Sequence, residues 1–411
     1  MYDFDVLSSS NGANSNVGDV SMDGIRAMEI LERHAPPKHT ARAKTGSLAK
    51  LLRWNAEKSL QSGEVLAHQA DFVSMFLLNS EPKRQCGAGS QINRRSVTSD
   101  WHNCLKLGYD VRKLQWPNWM VDCLQDAGID ERVLPMKVIS PGERIGSISK
   151  HLANRFGIPE SAVIVGGTTD SNAAFFAAVG GTDALPGTAV TSLGSTLAMK
   201  YLSKTYCEDA DRGVYSHRFP VFNDNSNRNP KGNTSDKNSK EEAWLTGGAS
   251  NVGCAILRQE QFTDDELISL SNDIDPGTDS PLGDEYYPLT KKGERFPIAD
   301  TEREPKLTPK PESRKEYLHG ILQGISNVER DGFRVLGDLG ALPKQPTVVW
   351  SCGGGAKNDM WIEMRQRRLR ELFGNEKYGD GDGNSGSVEV KRAPNTEASF
   401  GAAILAAATF S

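Results

Sequence analysis

Val163-Ile164-Val165-Gly166-Gly167-Thr168-Thr169-Asp170-Ser171 is the stretch whose reading decides the fold. Three β-branched residues read as a short buried strand, and Gly166-Gly167 as a tight turn. An apolar helical run, Ala173 to Val179, follows. The pattern then returns: Thr188 to Ser192 is strand-like and ends in Leu193-Gly194-Ser195-Thr196. A hydroxyl- and glycine-rich turn directly after a strand presents bare backbone N–H groups, the arrangement that holds a phosphate. Asp170 stands where strand gives way to helix. It reads either as a helix cap, a position Asp favours, or as a general base that takes a proton from a hydroxyl beside bound phosphates.

Working outward toward the C-terminus, Trp244-Leu245-Thr246-Gly247-Gly248-Ala249-Ser250-Asn251 reads as a further strand running into a glycine turn. Tyr317, Leu318, Ile321, Leu322, Ile325 and Val328 form one apolar face of a long helix. Thr347 to Trp350 is a strand that enters Gly353-Gly354-Gly355-Ala356-Lys357-Asn358, and a helix through Trp361 and Met364 comes next. Val388 to Val390 is a strand, and Glu397 to Ala408 a helix of small residues. Two polar segments, 223–242 and 374–386, read as disordered insertions.

Toward the N-terminus, Ser8 to Asp23 is loop-like and Ile25 to His34 helical. Thr45-Gly46-Ser47 opens an amphipathic helix carrying Leu48, Leu51, Leu52 and Trp54. Ile148, Leu152 and Phe156 recur at four-residue spacing in a helix that Gly157 stops. Alternating strands, glycine turns and helices give an α/β class. The 411 residues exceed one ordinary core, so two domains are expected, residues 1–160 and 161–411.

Composition narrows the function. A net charge of −5 argues against bulk nucleic-acid binding. No apolar run of about 18 residues is present, so no membrane span is expected. Cys86, Cys104, Cys123, Cys207, Cys254 and Cys352 form neither a C-x-x-C pair nor a His-flanked metal spacing. Reduced thiols in a cytosol-like compartment follow. The acidic start, Met1-Tyr2-Asp3-Phe4-Asp5, lacks a signal-peptide core and the character of a transit peptide.

Gly353 to Asn358 satisfies neither the P-loop nor the dinucleotide pattern. Strand, three glycines and a helix N-terminus still suit a nucleotide: Gly354 and Gly355 let backbone approach phosphate or ribose, Asn358 can hydrogen-bond and Trp361 can flank a base. An ordinary tight turn is the plain alternative. Arg365, Arg367, Arg368 and Arg370 read as a solvated basic face, and His68, His102 and His217 as structural or surface residues.

The four motifs Gly166–Ser171, Thr191–Thr196, Gly247–Asn251 and Gly353–Asn358 together resemble the FGGY carbohydrate kinases. Within that family they are most similar to the plant and cyanobacterial D-ribulose kinases. Ser47-Leu48-Ala49-Lys50, His102–Tyr109, Gly213–His217 and Gly293–Asp300 extend the likeness from about Lys44 onward. The resemblance implies two ribonuclease H-like domains of the actin and hexokinase kind. It implies ATP-dependent phosphorylation of a ketopentose, D-ribulose first and D-xylulose as the alternative, with Mg²⁺ on the phosphates. It makes Asp170 the catalytic base and a sugar ligand. It sets Gly194, Ser195 and Thr196 by the phosphates, Gly354, Gly355 and Asn358 on the nucleotide, and Trp361 near the adenine. A small sugar and ATP are the expected partners, with no protein ligand for a metal, and the oligomeric state is left open.

The family also carries an N-terminal strand with a D-x-G-T-like turn. Met22-Asp23-Gly24-Ile25-Arg26 is the nearest string here, with no apolar strand before it and no Thr after it. The expectation is a first domain that is N-terminally incomplete, whether as a shortened form of an active enzyme, with a plastid leader possible upstream, or as a degenerate nucleotide- or sugar-binding protein.

Overall fold

The computed structural model describes residue 6 and residues 21–79, 97–220, 242–374 and 388–410. The two expected insertions lie outside these residues apart from Glu242 and Gly374. The chain divides into two compact units. Unit 1 contains the described residues up to Asn172 together with Leu405–Phe410, and unit 2 contains Ala173–Pro220 and Glu242–Ile404.

The described part of unit 1 includes three helices, α1 (Met22–His34), α2 (Ser47–Glu57) and α3 (Gln69–Asn79). The Ser21 hydroxyl caps α1 by accepting from Gly24 N, with Asp23 in the first turn and Arg33 and His34 in the last, as the helix dipole favours. The string Met22–Arg26 therefore belongs to a helix, with no strand and turn. The short β1 (Thr98–Asp100) leads into α4 (Trp101–Cys104), and α5 (Asn118–Asp126) follows. Ala27, Met28 and Leu31 of α1, Leu48, Leu51 and Leu52 of α2, and Met120, Cys123 and Leu124 of α5 share one apolar core.

The rest of unit 1 contains β2 (Lys137–Ile139), β3 (Arg144–Ser147), α6 (Lys150–Phe156) and β4 (Val163–Val165). Strands β1 and β2 pair in parallel, and β3 pairs antiparallel with β4 across a bulge between Arg144 and Gly146. Gly157 ends α6 at φ +66°, as its sequence predicts. The Val163–Val165 strand differs from expectation: all three residues are half-buried. Its sheet has two strands among the described residues, so it is not sealed on both faces as a central strand is.

Helix α7 (Asp170–Val179) starts in unit 1 and continues into unit 2. Unit 2 is organised by a six-stranded mixed sheet of β5 (Thr188–Leu193), β6 (Leu197–Ser203), β7 (Tyr215–Arg218), β8 (Trp244–Ser250), β9 (Val348–Cys352) and β10 (Glu389–Arg392), in the order β10-β9-β5-β6-β8-β7. The β10, β9 and β5 pairings are parallel and the others antiparallel. Helices α8 (Ala255–Gln259), α9 (Asp264–Asn272), α10 (Arg314–Asp338), α11 (Asp359–Phe373) and the part of α12 (Ala398–Ala408) up to Ile404 complete it. At α12 the small residues allow close contact: a Cβ on Gly401 would stand 1.8 Å from the Ala173 carbonyl oxygen.

Three expectations about unit 2 need correction. Gly247 and Gly248 lie inside β8, not in a turn beyond it. A Cβ on Gly247 would stand 2.0 Å from Met199 O, and one on Gly248 would stand 2.4 Å from Phe296 Cδ2, so these glycines let the strand pack. Helix α10 is buried on all sides from Tyr317 to Glu329, not on one face. Arg365 and Arg368 are buried, because they share the inward face of α11 with Trp361, Met364 and Leu369. Among the described residues the five cysteines are free thiols, and no helix is long and apolar enough to cross a membrane.

Candidate functional site

The parallel pairing of β5 with β9 brings two loops together at one end of the unit 2 sheet. Ser192 faces Cys352 in the register, so the chain leaves both strands at the same level. Beyond β5, Gly194-Ser195-Thr196 closes the hairpin into β6, with Gly194 N donating to Thr196 O at 3.2 Å. Beyond β9, Gly353 turns at φ +84° into a 3₁₀ segment, Gly354–Lys357. The two turns touch. A Cβ on Gly353 would stand 2.7 Å from the Leu193 carbonyl and 3.1 Å from Gly194 N. A Cβ on Gly253 would stand 2.5 Å from Thr196 Cα, so a third loop closes on the first. Cys254 N and Ala255 N donate to Gly194 O and Ser195 O at 2.8 and 3.3 Å.

A cavity of about 700 Å³ opens here, lined by Gly194, Ser195, Gly354, Gly355, Asn358 and Trp361 among others. Six of the eight residues singled out in the sequence therefore face one space, and Thr196 is next to them in the chain. Gly354 has nothing within 4 Å of where a Cβ would stand, whereas Gly355 is packed against Trp361, Leu193 and Cys254. The side chain of Asn358 is engaged within the protein. Its Oδ1 accepts from Trp361 N at 3.1 Å as the cap of α11, and its Nδ2 donates to Ser271 Oγ at 2.8 Å. The indole of Trp361 is nearly fully buried and donates to Leu322 O and Ser326 Oγ. Both residues thus set the wall of the cavity. Burial pushes the Cys254 thiol in that wall up to about 11, so it stays neutral at pH 7.

Beneath the turns lies a buried ion pair that the sequence reading missed. Arg365 Nε donates to Glu329 Oε2 at 2.6 Å and Nη2 to Oε1 at 2.7 Å, with both side chains sealed from solvent. Thr191 on β5 donates to Glu329 at 2.6 Å, and Arg365 donates to Ser351 on β9 at 2.7 Å. The two strands that carry the two turns are thereby tied to α10 and α11. The signal was legible in part: Arg365 sits four residues after Trp361, on the apolar face of α11. Arg392 holds the second turn from outside, donating to Ala356 O and Lys357 O at 3.0 Å and pairing with Asp359 at 2.8 Å.

Asp170 belongs to unit 1. It is exposed at the first residue of α7, and its Oδ1 accepts from Ser171 N at 2.7 Å. The preceding turn is packed from below. Thr168 Oγ1 lies 2.7 Å from His102 Nδ1, and a Cβ on Gly167 would stand 2.9 Å from Ala70 Cβ and 3.7 Å from Asp100 Oδ2. Asp100 caps α4, accepting from His102 N and Asn103 N on Oδ1 and from Asn103 Nδ2 on Oδ2. Burial pushes its carboxyl up to about 6, against the opposing pull of the Asn103 hydrogen bonds. His68 Nδ1 lies 3.0 Å from Asp71 Oδ2 nearby in the same unit. The Thr169 hydroxyl and both ends of the Asn172 amide are buried without a hydrogen-bond partner.

No protein-family model matches the chain. A xylulose kinase of Bacillus subtilis (strain 168) is 24% identical to it over 261 residues, which are 62% of this chain and 46% of that relative. The aligned stretch thus spans less than half of the relative's length. Among solved structures, a ligand-bound xylulose kinase of Lactobacillus acidophilus superposes with a TM-score of 0.64 at 16% identity, over 93% of this chain and 66% of that one. A Plasmodium falciparum glycerol kinase with ADP gives a TM-score of 0.65 at 15% identity, over 99% and 72%. The two-unit α/β architecture of this chain is therefore a fold it shares with solved xylulose and glycerol kinases.

Proposed function

We propose that this chain serves an ATP-dependent phosphorylation of a ketopentose, with D-ribulose as acceptor and D-xylulose as the nearest competitor. The observation that carries the reading is the meeting of two glycine turns, Gly194–Thr196 and Gly353–Lys357, at one cavity. Backbone N–H groups at strand ends suit phosphate oxygens, and phosphoryl transfer depends chiefly on positioning and charge stabilisation. The glycerol kinase that shares the fold is described with ADP, which supports a nucleotide as a ligand of this chain. The Bacillus subtilis relative, a xylulose kinase, supports a ketopentose, and the choice of D-ribulose first rests on the resemblance of the motifs to the D-ribulose kinases.

In this reading Asp170 accepts the proton of the attacking sugar hydroxyl, the sugar oxygen bonds to the γ-phosphorus, and ADP leaves. Gly194, Ser195 and Thr196 take the phosphate side of the cavity, and Gly354 and Gly355 the ribose side. Asn358 and Trp361 shape the adenine end from within the wall. Mg²⁺ neutralises the phosphate chain in such reactions. Among the described residues no group of three or more His, Cys, Asp or Glu could hold a metal.

The test is calorimetry with ADP and ATP on the 411-residue chain, followed by a coupled ADP-release assay with D-ribulose and D-xylulose. Binding of both nucleotides and preferential turnover of D-ribulose support the reading. A folded chain that binds neither nucleotide overturns it. A second reading, nucleotide binding without transfer, is favoured by one observation: the nearest match to an acidic phosphate turn, Met22–Arg26, lies in helix α1. Nucleotide binding with no release of ADP for either sugar would select it.

A further inference from the structure

Two cations line the unit 2 cavity, Arg258 and Lys357, and two carboxylates, Asp264 and Asp359. Asp359 is already paired with Arg392 at 2.8 Å. Arg258 is different from the arginines around it. Arg314, Arg365, Arg367, Arg368 and Arg392 each hold a carboxylate. The exposed guanidinium of Arg258 has no carboxylate at ion-pair distance among the described residues, and its one hydrogen bond is from Nη2 to Ser195 Oγ at 3.2 Å. That bond brings its cationic end onto the turn that reads as a phosphate site.

The placement follows from the fold. Gly253 lets the chain pass over Thr196, where a Cβ would meet Thr196 Cα at 2.5 Å. The carbonyls of Gly194 and Ser195 then take the N–H groups of Cys254 and Ala255, which sets the start of α8 against the turn. Arg258 projects from that helix back over the same turn. A guanidinium offers a planar fork that matches two phosphate oxygens, and it keeps donors free when one N–H is given to a hydroxyl.

We propose that Arg258 is the residue by which this cavity distinguishes a nucleoside polyphosphate from a nucleoside, by donating to the phosphate chain over Gly194–Thr196. The inference rests on the nucleotide reading of the cavity and adds a contact that neither the glycine motifs nor the comparisons assign.

The experiment is calorimetry on the 411-residue chain with adenosine, ADP, ATP and inorganic tripolyphosphate, using the parent, Arg258→Ala, Arg258→Gln and Arg258→Lys. The side chain is exposed, so the variants should keep the parent's far-ultraviolet dichroism and melting. Loss of one charge-assisted phosphate contact should weaken ADP and ATP by roughly 10- to 100-fold in the alanine and glutamine variants. Adenosine affinity should stay unchanged, and lysine should restore part of the loss. Unchanged ADP affinity in Arg258→Ala overturns the proposal, as does an equal loss for adenosine, which would make Arg258 a wall residue. A parent chain that binds tripolyphosphate through Arg258 but no nucleotide would keep the phosphate contact and remove the nucleotide reading. A parent chain that binds neither ADP nor tripolyphosphate would overturn both.

Discussion

Unit 2 rests on one continuous six-stranded sheet, whereas the described strands of unit 1 form two separate pairs. The contrast extends to the candidate site residues. In unit 2 the turns leave adjacent parallel strands and are tied from below by the sealed Glu329–Arg365 pair. In unit 1 the carboxylate of Asp170 stands exposed, while Thr169 and Asn172 beside it bury polar atoms without partners. On the proposed reading, the difference matches two different tasks. There, a packed sheet end would hold a nucleotide by backbone geometry, which tight packing fixes. A general base needs access to a substrate proton, and an exposed carboxylate has it.

The largest expected effect separates these tasks. In any form of the protein that turns over a ketopentose, Asp170→Asn should lower kcat by about 10²–10⁴-fold. ADP affinity measured by calorimetry should stay within a factor of about two, since less than half a kcal/mol is then involved. Retained turnover would reduce Asp170 to the first residue of a helix.

The next effect belongs to unit 2 alone. Glu329→Leu leaves the guanidinium of Arg365 buried and uncompensated, at a cost of about 3–5 kcal/mol in urea unfolding. The double variant Glu329→Leu/Arg365→Met should recover most of that loss, because an apolar pair avoids the desolvation of two charges. A single-variant loss below about 1 kcal/mol would show that the pair does not tie the turns.

A smaller effect belongs to unit 1. The carboxyl of Asp100 is raised from 3.8 to about 6 by burial, so the folded state holds its proton more tightly than the unfolded chain. The sign follows: the folded state binds more protons between these values, so stability falls as pH rises from about 4 to about 6 and is level above. The size is at most about 3 kcal/mol. Comparing thermal unfolding of the parent with Asp100→Asn across that range isolates the group. Parallel pH curves for the two proteins would mean that Asp100 does not titrate there.

The smallest effect concerns the cavity itself. Nothing surrounds the position of a Cβ on Gly354, so Gly354→Val should fold with stability within about 0.5 kcal/mol of the parent. Its isopropyl group would fill space a nucleotide needs, and ADP affinity should fall by roughly tenfold, equal to about 1.4 kcal/mol. Unaltered affinity in the folded variant would remove Gly354 from the nucleotide side.

Much of this was legible in the sequence where local signals and long-range packing agree. Gly157 after an i, i+4 apolar series marks the end of α6 in both, and the strand, glycine and helix order around Gly353–Asn358 survives intact. The failures share a cause. Gly247-Gly248 looks like a turn because glycine is a turn signal, yet here it answers the crowding of Met199 O and Phe296, which come from other parts of the chain. Arg365 looks solvated because it sits in a run of arginines, and its partner Glu329 lies on another helix. Asn358 and Trp361 are a different case, since both line the cavity as expected. Only the fold shows that Ser271, Leu322 and Ser326 already hold their polar atoms.

Helix α10 has one more consequence. From Tyr317 to Glu329 every residue is buried, so no local fraying exposes those amides to solvent. Their exchange with deuterium is expected to follow the largest openings of unit 2, and its rate then reports the stability of that unit. Leu322, inside the run, also lines the cavity. A molecule that occupies the cavity stabilises the folded unit by RT ln(1 + [L]/Kd) and slows this peptide in proportion. Helix α10 is thus an intrinsic gauge of occupancy, readable by mass spectrometry with no label, turnover or knowledge of the acceptor sugar.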